Sequence, residues 1–303
     1  MAKGDGTAKP AAAKARSAKT ASAESVTAKP AAVEPAAVEA QPLDPAAADE
    51  ADRYRAPALD KGLDILELLA GTEEGLTQAE IAKALERTPN EIYRMLDRLV
   101  RRSYVARVNG DRYELSLKLF ALAHQHPPVR RLVSLAMPIL RRFAREAEQA
   151  CHLAVYDQGH VIIVAQVDPP GYWGFAVRVG SRVGLLNTGS GNTLLAFAPP
   201  KERAFMLDEH EMLPEERAPA DLDAHLDQIA RQGYGITESQ QTRGVLNVSV
   251  PVRAASGNAV AALTCPYIDR IDRAGAPQIE AVLAALRTAG DELSRATGGD
   301  PRP

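Results

Sequence analysis

Four side chains between positions 90 and 98, those of Asn90, Glu91, Arg94 and Arg98, carry hydrogen-bonding groups at a spacing that sets them along one face of a helix. Each type has a partner on DNA. Asn pairs with adenine through two hydrogen bonds, Glu accepts from the cytosine amino group, and Arg forks onto guanine or clamps a phosphate. Ile92, Met95, Leu96 and Leu99 recur at i, i+3, i+4 and i+7 on the opposite face, so one helix has a core side and a reading side. The amides at its N-terminus favour a phosphate oxygen. Thr77, Gln78, Arg87, Thr88 and Tyr93 flank this face in sequence and, with Arg107 and Arg112 further on, complete the candidate DNA-contacting set. Taken alone, such a run of charge is ordinarily just a solvated helix face. The neighbouring elements reverse that reading.

Thr77 and Glu80 form a capping box that starts a first short helix, with Ile81, Ala82 and Leu85 as its apolar stripe. The Arg87-Thr88-Pro89 segment ends it, and Thr88 caps the next helix with Pro89 at its first position. Beyond that helix, Tyr104–Val108 and Tyr113–Leu115 flank Asn109-Gly110, a pair suited to the two positive φ values of a type I′ hairpin turn. Arg101, Arg102, Arg107 and Arg112 surround this hairpin. Upstream, LDKGLDILELL from Leu59 to Leu69 predicts another helix, with Leu59, Leu63, Leu66 and Leu69 on one stripe. Three helices followed by a hairpin predict a winged helix-turn-helix whose last helix enters the major groove.

The remaining chain has a different character. Its 303 residues suffice for two domains, and the net charge of -3 conceals a basic stretch (Lys3 to Lys29) followed by an acidic one (Glu34 to Asp52). Both are rich in Ala and Pro and nearly free of aromatics, so residues 1 to 53 are expected to be a disordered tail, either a tolerated extension or a basic arm adding phosphate contacts. There is no signal-peptide core and no apolar run of membrane-spanning length, which points to a cytoplasmic protein without a membrane partner. With Cys151 and Cys265 as its only cysteines, the chain is not organised by disulfides.

After the hairpin, Ser116–Gln125 predicts a short linking helix that stops before Pro127-Pro128, and Val129–Ala150 a long amphipathic one that Pro138 could kink. Cys151–Tyr156 and His160–Val167 read as a hairpin, Gly174–Val179 as a strand, and Tyr234–Glu238, Val245–Arg253 and Ala259–Pro266 as later strands. Helices are expected from Thr188, from Lys201, over Leu222–Arg231 and over Ala276–Ala296. An antiparallel sheet with helices beside it is an α+β domain. The Thr188-Gly189-Ser190-Gly191-Asn192 run could bring backbone amides and a helix N-terminus to a carboxylate, or Thr188 or Ser190 could simply cap the helix while the glycines shape a turn. Tyr172, Trp173 and Phe175 could cover a ligand or pack on the sheet or at a subunit interface. Cys151, His152 and His160 lack metal-ligand spacing, and Gly189-Ser190-Gly191 matches neither a phosphate loop nor a nucleophile elbow, so no metal, cofactor or enzyme activity is expected.

From about Leu59 to about Leu293 the chain resembles the IclR family of bacterial transcriptional regulators. The likeness is carried by LDKGLDIL, EIYRMLDRLVRRSYV, YELSLKLFALA, VRVGSRVGLLNTGSGNTLLAF, QTRGVLNVSVPVR and GNAVAALTCPY in that order. The resemblance implies a winged helix-turn-helix (residues 54–115), a linker helix (116–128), a GAF-like α+β effector-binding domain (129–297) and a short disordered C-terminus (298–303). It also implies a homodimer or a dimer of dimers on a palindromic double-stranded operator, with a small organic acid or aromatic compound as effector. Members commonly place Ser-Thr before the Tyr-Arg of the recognition helix. Here Asn90-Glu91 precede Ile92-Tyr93-Arg94, so Arg94 carries over as a DNA contact while the operator is altered. The resemblance puts the effector pocket at Gly189 and Ser190 and at Glu238, Val245, Asn247, Thr264 and Pro266; Gln240 and Gln241 depart from the usual acidic pair. The competing expectation is a stand-alone sensing or enzymatic α+β domain whose helix-turn-helix docks protein.

Overall fold

The computed structural model describes residues 56–172, 174–214 and 216–300; the tail expected at 1–53, Trp173 and the last three residues lie outside them. Helix α1 (Pro57–Ala70) leads into a short strand β1 (Leu76–Thr77), then α2 (Gln78–Ala84), α3 (Pro89–Arg101), and the strands β2 (Val105–Val108) and β3 (Arg112–Leu115). The capping box at α2 is formed: the Glu80 amide donates to Thr77 Oγ1 at 3.3 Å, and the Thr77 amide donates to Glu80 Oε2 at 2.8 Å. Ile65, Leu69, Ile81, Ile92, Leu96, Val105 and Tyr113 fill the core between these elements. Leu59 and Leu63 do not join it and stay exposed, because α1 carries two apolar lines and helical spacing alone cannot choose between them. In the wing, Asn109 (φ 47°) and Gly110 (φ 88°) take the positive values their types favour. The register Val108↔Arg112 leaves Asp111 in the loop as well, so the turn has one residue more than a two-residue hairpin. Strand β1 pairs with β3 through Leu76↔Tyr113, giving a three-stranded wing that ties the start of α2 to the hairpin.

Helix α4 (Lys118–Gln125) follows and buries none of its residues, leaving Leu117 and Phe120 exposed. Helix α5 (Pro127–Ala147) begins at the proline pair and runs unbroken through Pro138. Its buried line of Ala136, Ile139, Leu140, Phe143 and Ala147 matches the helical repeat in the sequence.

The second domain is a six-stranded antiparallel sheet of β4 (Cys151–Asp157), β5 (His160–Val167), β6 (Arg182–Val183), β7 (Gly235–Glu238), β8 (Val245–Arg253) and β9 (Ala259–Ile268). Their spatial order is β6-β5-β4-β9-β8-β7. Residues 174 to 179 form no strand; the short β6 pairs with β5 instead, at Val161↔Val183. On one face α5 and α9 (Ile279–Ala296) cover Leu153, Val250 and Leu263. On the other lie α6 (Gly189–Ala196), α7 (Pro200–Glu209) and α8 (Leu222–Gln232), whose Leu195, Met206 and Ile229 pack with Ala154, Ile163 and Ala262. Because strand side chains alternate, Cys151 and Cys265 fall on the α5 side while His152 and Thr264 face α6. Burial pushes the Cys151 thiol up to about 12 and that of Cys265 well above its usual range, so both act as small apolar groups.

Candidate functional site

Helix α3 presents Asn90, Tyr93, Arg94 and Arg98 to solvent, while Ile92 and Leu96 hold its other side in the core. Arg87, in the turn before it, is also exposed. Among the described residues Arg87, Arg94 and Arg98 form no ion pair, so their guanidinium groups are available to an external anion or base edge. Glu91 differs from its neighbours. Lys61 Nζ donates to Oε1 at 2.7 Å, and the Thr88 amide and hydroxyl donate to Oε2 at 3.0 and 2.9 Å. The Lys61 hydrogen bond, then those from Thr88, hold this carboxyl down to about 2, so it is a charged clamp joining α1 to the start of α3. The base-accepting role expected of Glu91 is not the one its geometry favours, since its oxygens are already engaged.

Arg112 is similarly committed. It donates to the carbonyls of Glu74 and Gly75 at 3.0 and 2.9 Å and stands 3.6 Å from Glu80, which anchors the wing instead of leaving the guanidinium for a phosphate. Gln78 Nε2 donates to the Pro89 carbonyl at 2.9 Å and fixes the turn between the helices, and Thr77 is used in its cap. Arg107 is exposed on the wing, 5.9 Å from the Tyr113 ring centre. The exposed side chains of this face that stay uncommitted among the described residues are those of Asn90, Tyr93, Arg94 and Arg98, with Arg87 and Arg107 at its margins.

The second site is a cavity of about 570 Å³ between the sheet, the start of α6 and the segments before and after it. Gly189, Ser190, Asn247, Thr264 and Pro266 all line it. Glu238 and Val245 do not: Glu238 is exposed on edge strand β7, and Val245 is buried at the start of β8. Their places in the wall are taken by Ser239, Gln240 and Gln241. Phe175 reaches the cavity, whereas Tyr172 is 90% exposed and its hydroxyl lies 3.4 Å from Asp272. Among the wall residues that sequence reasoning missed are Arg182, His152 and Glu216. Arg182 at the mouth has no ion pair among the described residues, so it offers a cation. Its signal in the sequence was only its place in the segment preceding the glycine run.

The glycines serve packing. A Cβ on Gly189 would overlap Ser249 Oγ, and one on Gly191 would overlap the backbone of Leu185, so both let α6 lie close against the sheet and the segment before it. Thr188 caps α6 by accepting from the Gly191 amide at 3.0 Å. Glu216, fully buried, accepts from the amides of Leu186 and Leu213 at 2.6 and 3.0 Å and meets His210 Nε2 at 3.0 Å. It closes the wall with its oxygens already used.

Buried polar groups mark the deep end. Ser190 Oγ lies 3.1 Å from His152 Nε2 and 2.8 Å from Thr264 Oγ1, which in turn lies 2.9 Å from Ser249 Oγ. Burial pushes the His152 imidazole down to about 4 from 6.5. A histidine held neutral in the native state and free to charge in the unfolded one binds more protons when unfolded. Its contribution is therefore complete above pH 6.5 and is lost as pH falls toward 4. By pH 5 the loss from this group amounts to about 2 kcal/mol. Urea unfolding at pH 7 and pH 5 is expected to show this extra loss in the wild type and its absence in His152→Gln; equal losses in both would contradict it. Among the described residues no helix is long and apolar enough to cross a membrane, and no group of three or more His, Cys, Asp or Glu could hold a metal ion.

Residues 128–295 match the family model described as bacterial transcriptional regulator IclR C-terminal, and residues 58–109 match the IclR helix-turn-helix domain. The chain is 30% identical over 241 residues to the HTH-type transcriptional regulator BhcR of Paracoccus denitrificans, covering 76% of this chain and 85% of that one. It is 27% identical over 243 residues to the HTH-type transcriptional regulator KdgR of Escherichia coli, covering 78% and 91%. Among solved structures, its fold is similar to that of an IclR homolog from Microbacterium hydrocarbonoxydans complexed with 4-hydroxybenzoate (TM-score 0.66, 22% identity, 80% of this chain and 99% of that one).

Proposed function

The chain belongs to the IclR family of bacterial transcriptional regulators, and from that membership we propose how its two sites work together. Residues 54–115 bind a palindromic operator through α3 and the wing. Residues 129–297 hold a small organic acid or aromatic acid in the cavity beside α6, and residues 116–128 couple the two. The observation that carries this reading is the pairing of an exposed Arg94 and Arg98 face on α3, free of ion pairs among the described residues, with a separate cavity walled by hydroxyls, amides and Arg182. The Microbacterium complex with 4-hydroxybenzoate is consistent with an aromatic carboxylate as a first probe. Effector binding then biases the linker between two arrangements, which requires that it bind one of them better.

A homodimer, or a dimer of dimers, is supported by apolar surface left without a partner. Leu59 (61% exposed) and Leu63 on α1, Leu117 (81%) just before α4 and Phe120 on it are left exposed by the described residues. A helix of eight residues is marginal in water unless it packs, and α4 buries nothing. A second copy on these faces would also set the two α3 helices in successive half-sites. Such a regulator acts in the cytoplasm, where its operator is.

The test is a thermal-shift screen of benzoate, 4-hydroxybenzoate and short aliphatic carboxylates with the full chain. A carboxylate that binds the native state is expected to raise the Tm in a concentration-dependent way, and Arg182→Ala is expected to reduce that rise. No shift with any carboxylate, or an undiminished shift in the variant, would contradict the cavity assignment.

A further inference from the structure

The deep wall of the cavity is built by register. His152 of β4 is directly opposite Thr264 of β9, and Thr264 is directly opposite Ser249 of β8, so three polar side chains form a row across neighbouring strands on the α6 face. Ser190, one residue into α6, completes it. All four are at least nine-tenths buried, and three of them line the cavity. We propose that His152 sets the polarity of this hydroxyl wall: it donates from Nε2–H to Ser190, which leaves the Ser190 and Thr264 protons free to be given to an anionic group of the effector. The inference deepens the cavity reading above and rests on it.

Proton counting carries the argument. His152 Nδ1 is buried and, among the described residues, has no partner. A neutral imidazole has a single N–H, and burial keeps this ring neutral at pH 7. Nδ1 goes unpaired in either tautomer, but a buried N–H without an acceptor is tolerated less than a bare lone pair, and placing the hydrogen on Nε2 lets it reach Ser190 Oγ at 3.1 Å. Nε2–H is therefore the donor. With no effector the protons run in one direction, from His152 to Ser190, from Ser190 to Thr264 at 2.8 Å and from Thr264 to Ser249 at 2.9 Å. With an anion present, Ser249 turns its own proton to Thr264, and both Ser190 and Thr264 donate outward. Had the imidazole accepted instead, it would take up the Ser190 proton and leave one donor for the ligand. His152 is thus a positioning residue for anion selectivity.

The experiment has two readouts. In the full chain labelled with 15N-histidine, the long-range 1H–15N spectrum at pH 7 is expected to show the Nε2–H tautomer for the signal that disappears in His152→Gln; an Nδ1–H tautomer would overturn the proposal. Binding of benzoate and of neutral benzamide is then compared in the wild type, His152→Gln and His152→Leu. A Gln side chain can place an N–H donor where Nε2 stands, so benzoate affinity is expected to stay within about threefold in Gln; Leu leaves Ser190 Oγ without the donor that aims its proton into the cavity, so affinity is expected to fall about tenfold or more, with benzamide changing much less. Equal losses for both ligands in the Leu variant would overturn the proposal. A wild type that shows the Nε2–H tautomer but binds neither benzoate nor 4-hydroxybenzoate would instead overturn the aromatic-carboxylate reading of the cavity.

Discussion

Replacing Arg94 by alanine is expected to abolish operator selectivity while leaving the fold and the effector cavity intact. The side chain is exposed on α3, free of ion pairs among the described residues, and backed by a helix face that Ile92 and Leu96 lock into the core. A well-formed Arg contact to guanine contributes about 1–3 kcal/mol, roughly 5- to 150-fold in each half-site, and a dimer loses it twice. Gel-shift titration against specific and scrambled DNA should show the specific curve collapsing onto the scrambled one, with an unchanged Tm. The contrasting variants are Glu91→Gln and Arg112→Ala. Their partners are Lys61 and Thr88 for the first and the Glu74 and Gly75 carbonyls for the second, so they are expected to lower the Tm and leave base preference unchanged. A Glu91→Gln protein with altered base preference at normal stability would return that residue to the reading face.

The largest stability effect is expected at Gly191. An alanine there would drive its Cβ into the Leu185 carbonyl and Cα, backbone atoms that cannot rotate out of the way. Forced overpacking of this kind costs about 3 kcal/mol. For a domain of this size that is roughly 6–12 °C in Tm. The same substitution at Gly189 meets the Ser249 side chain, part of the hydroxyl row, so it should reduce carboxylate binding as well. Differential scanning calorimetry of Gly191→Ala with a Tm within 2 °C of wild type would mean that α6 has room to retreat from the sheet. The glycine run would then need another explanation.

These residues also mark where sequence patterns suffice and where they stop. The helix-turn-helix was legible because each boundary has a local chemical cause: the Thr77 and Glu80 box, Pro89 at the start of α3, and Asn109-Gly110 at positive φ. The long strands were legible for the same reason, since alternation over Val245–Arg253 needs no knowledge of its neighbours. Partner-dependent facts were not. That Glu91 is held by Lys61, 30 positions earlier, or Arg112 by carbonyls 37 and 38 positions earlier, depends on how α1 and the wing come together. Composition cannot separate a charge that reads DNA from one that clamps a helix. Gly174–Val179 alternated like a strand yet found no neighbour to pair with, and β6 took its place. In the cavity, Gly189, Ser190, Asn247, Thr264 and Pro266 converge, but the hydroxyl row emerges only once the registers of β4, β9 and β8 are known.

If one cavity and one reading face form a single regulator, their ligands must be thermodynamically linked, and linkage is reciprocal. The most direct measurement is therefore the operator affinity of the full chain, by fluorescence anisotropy at several salt concentrations, with and without the carboxylate that raises its Tm. Affinity for specific DNA is expected to fall linearly with salt on logarithmic axes and to change with the carboxylate by a definite factor. The carboxylate's own affinity, measured with and without operator, must change by the same factor. Operator binding that is indifferent to a carboxylate bound in the cavity would contradict the coupling of the two sites.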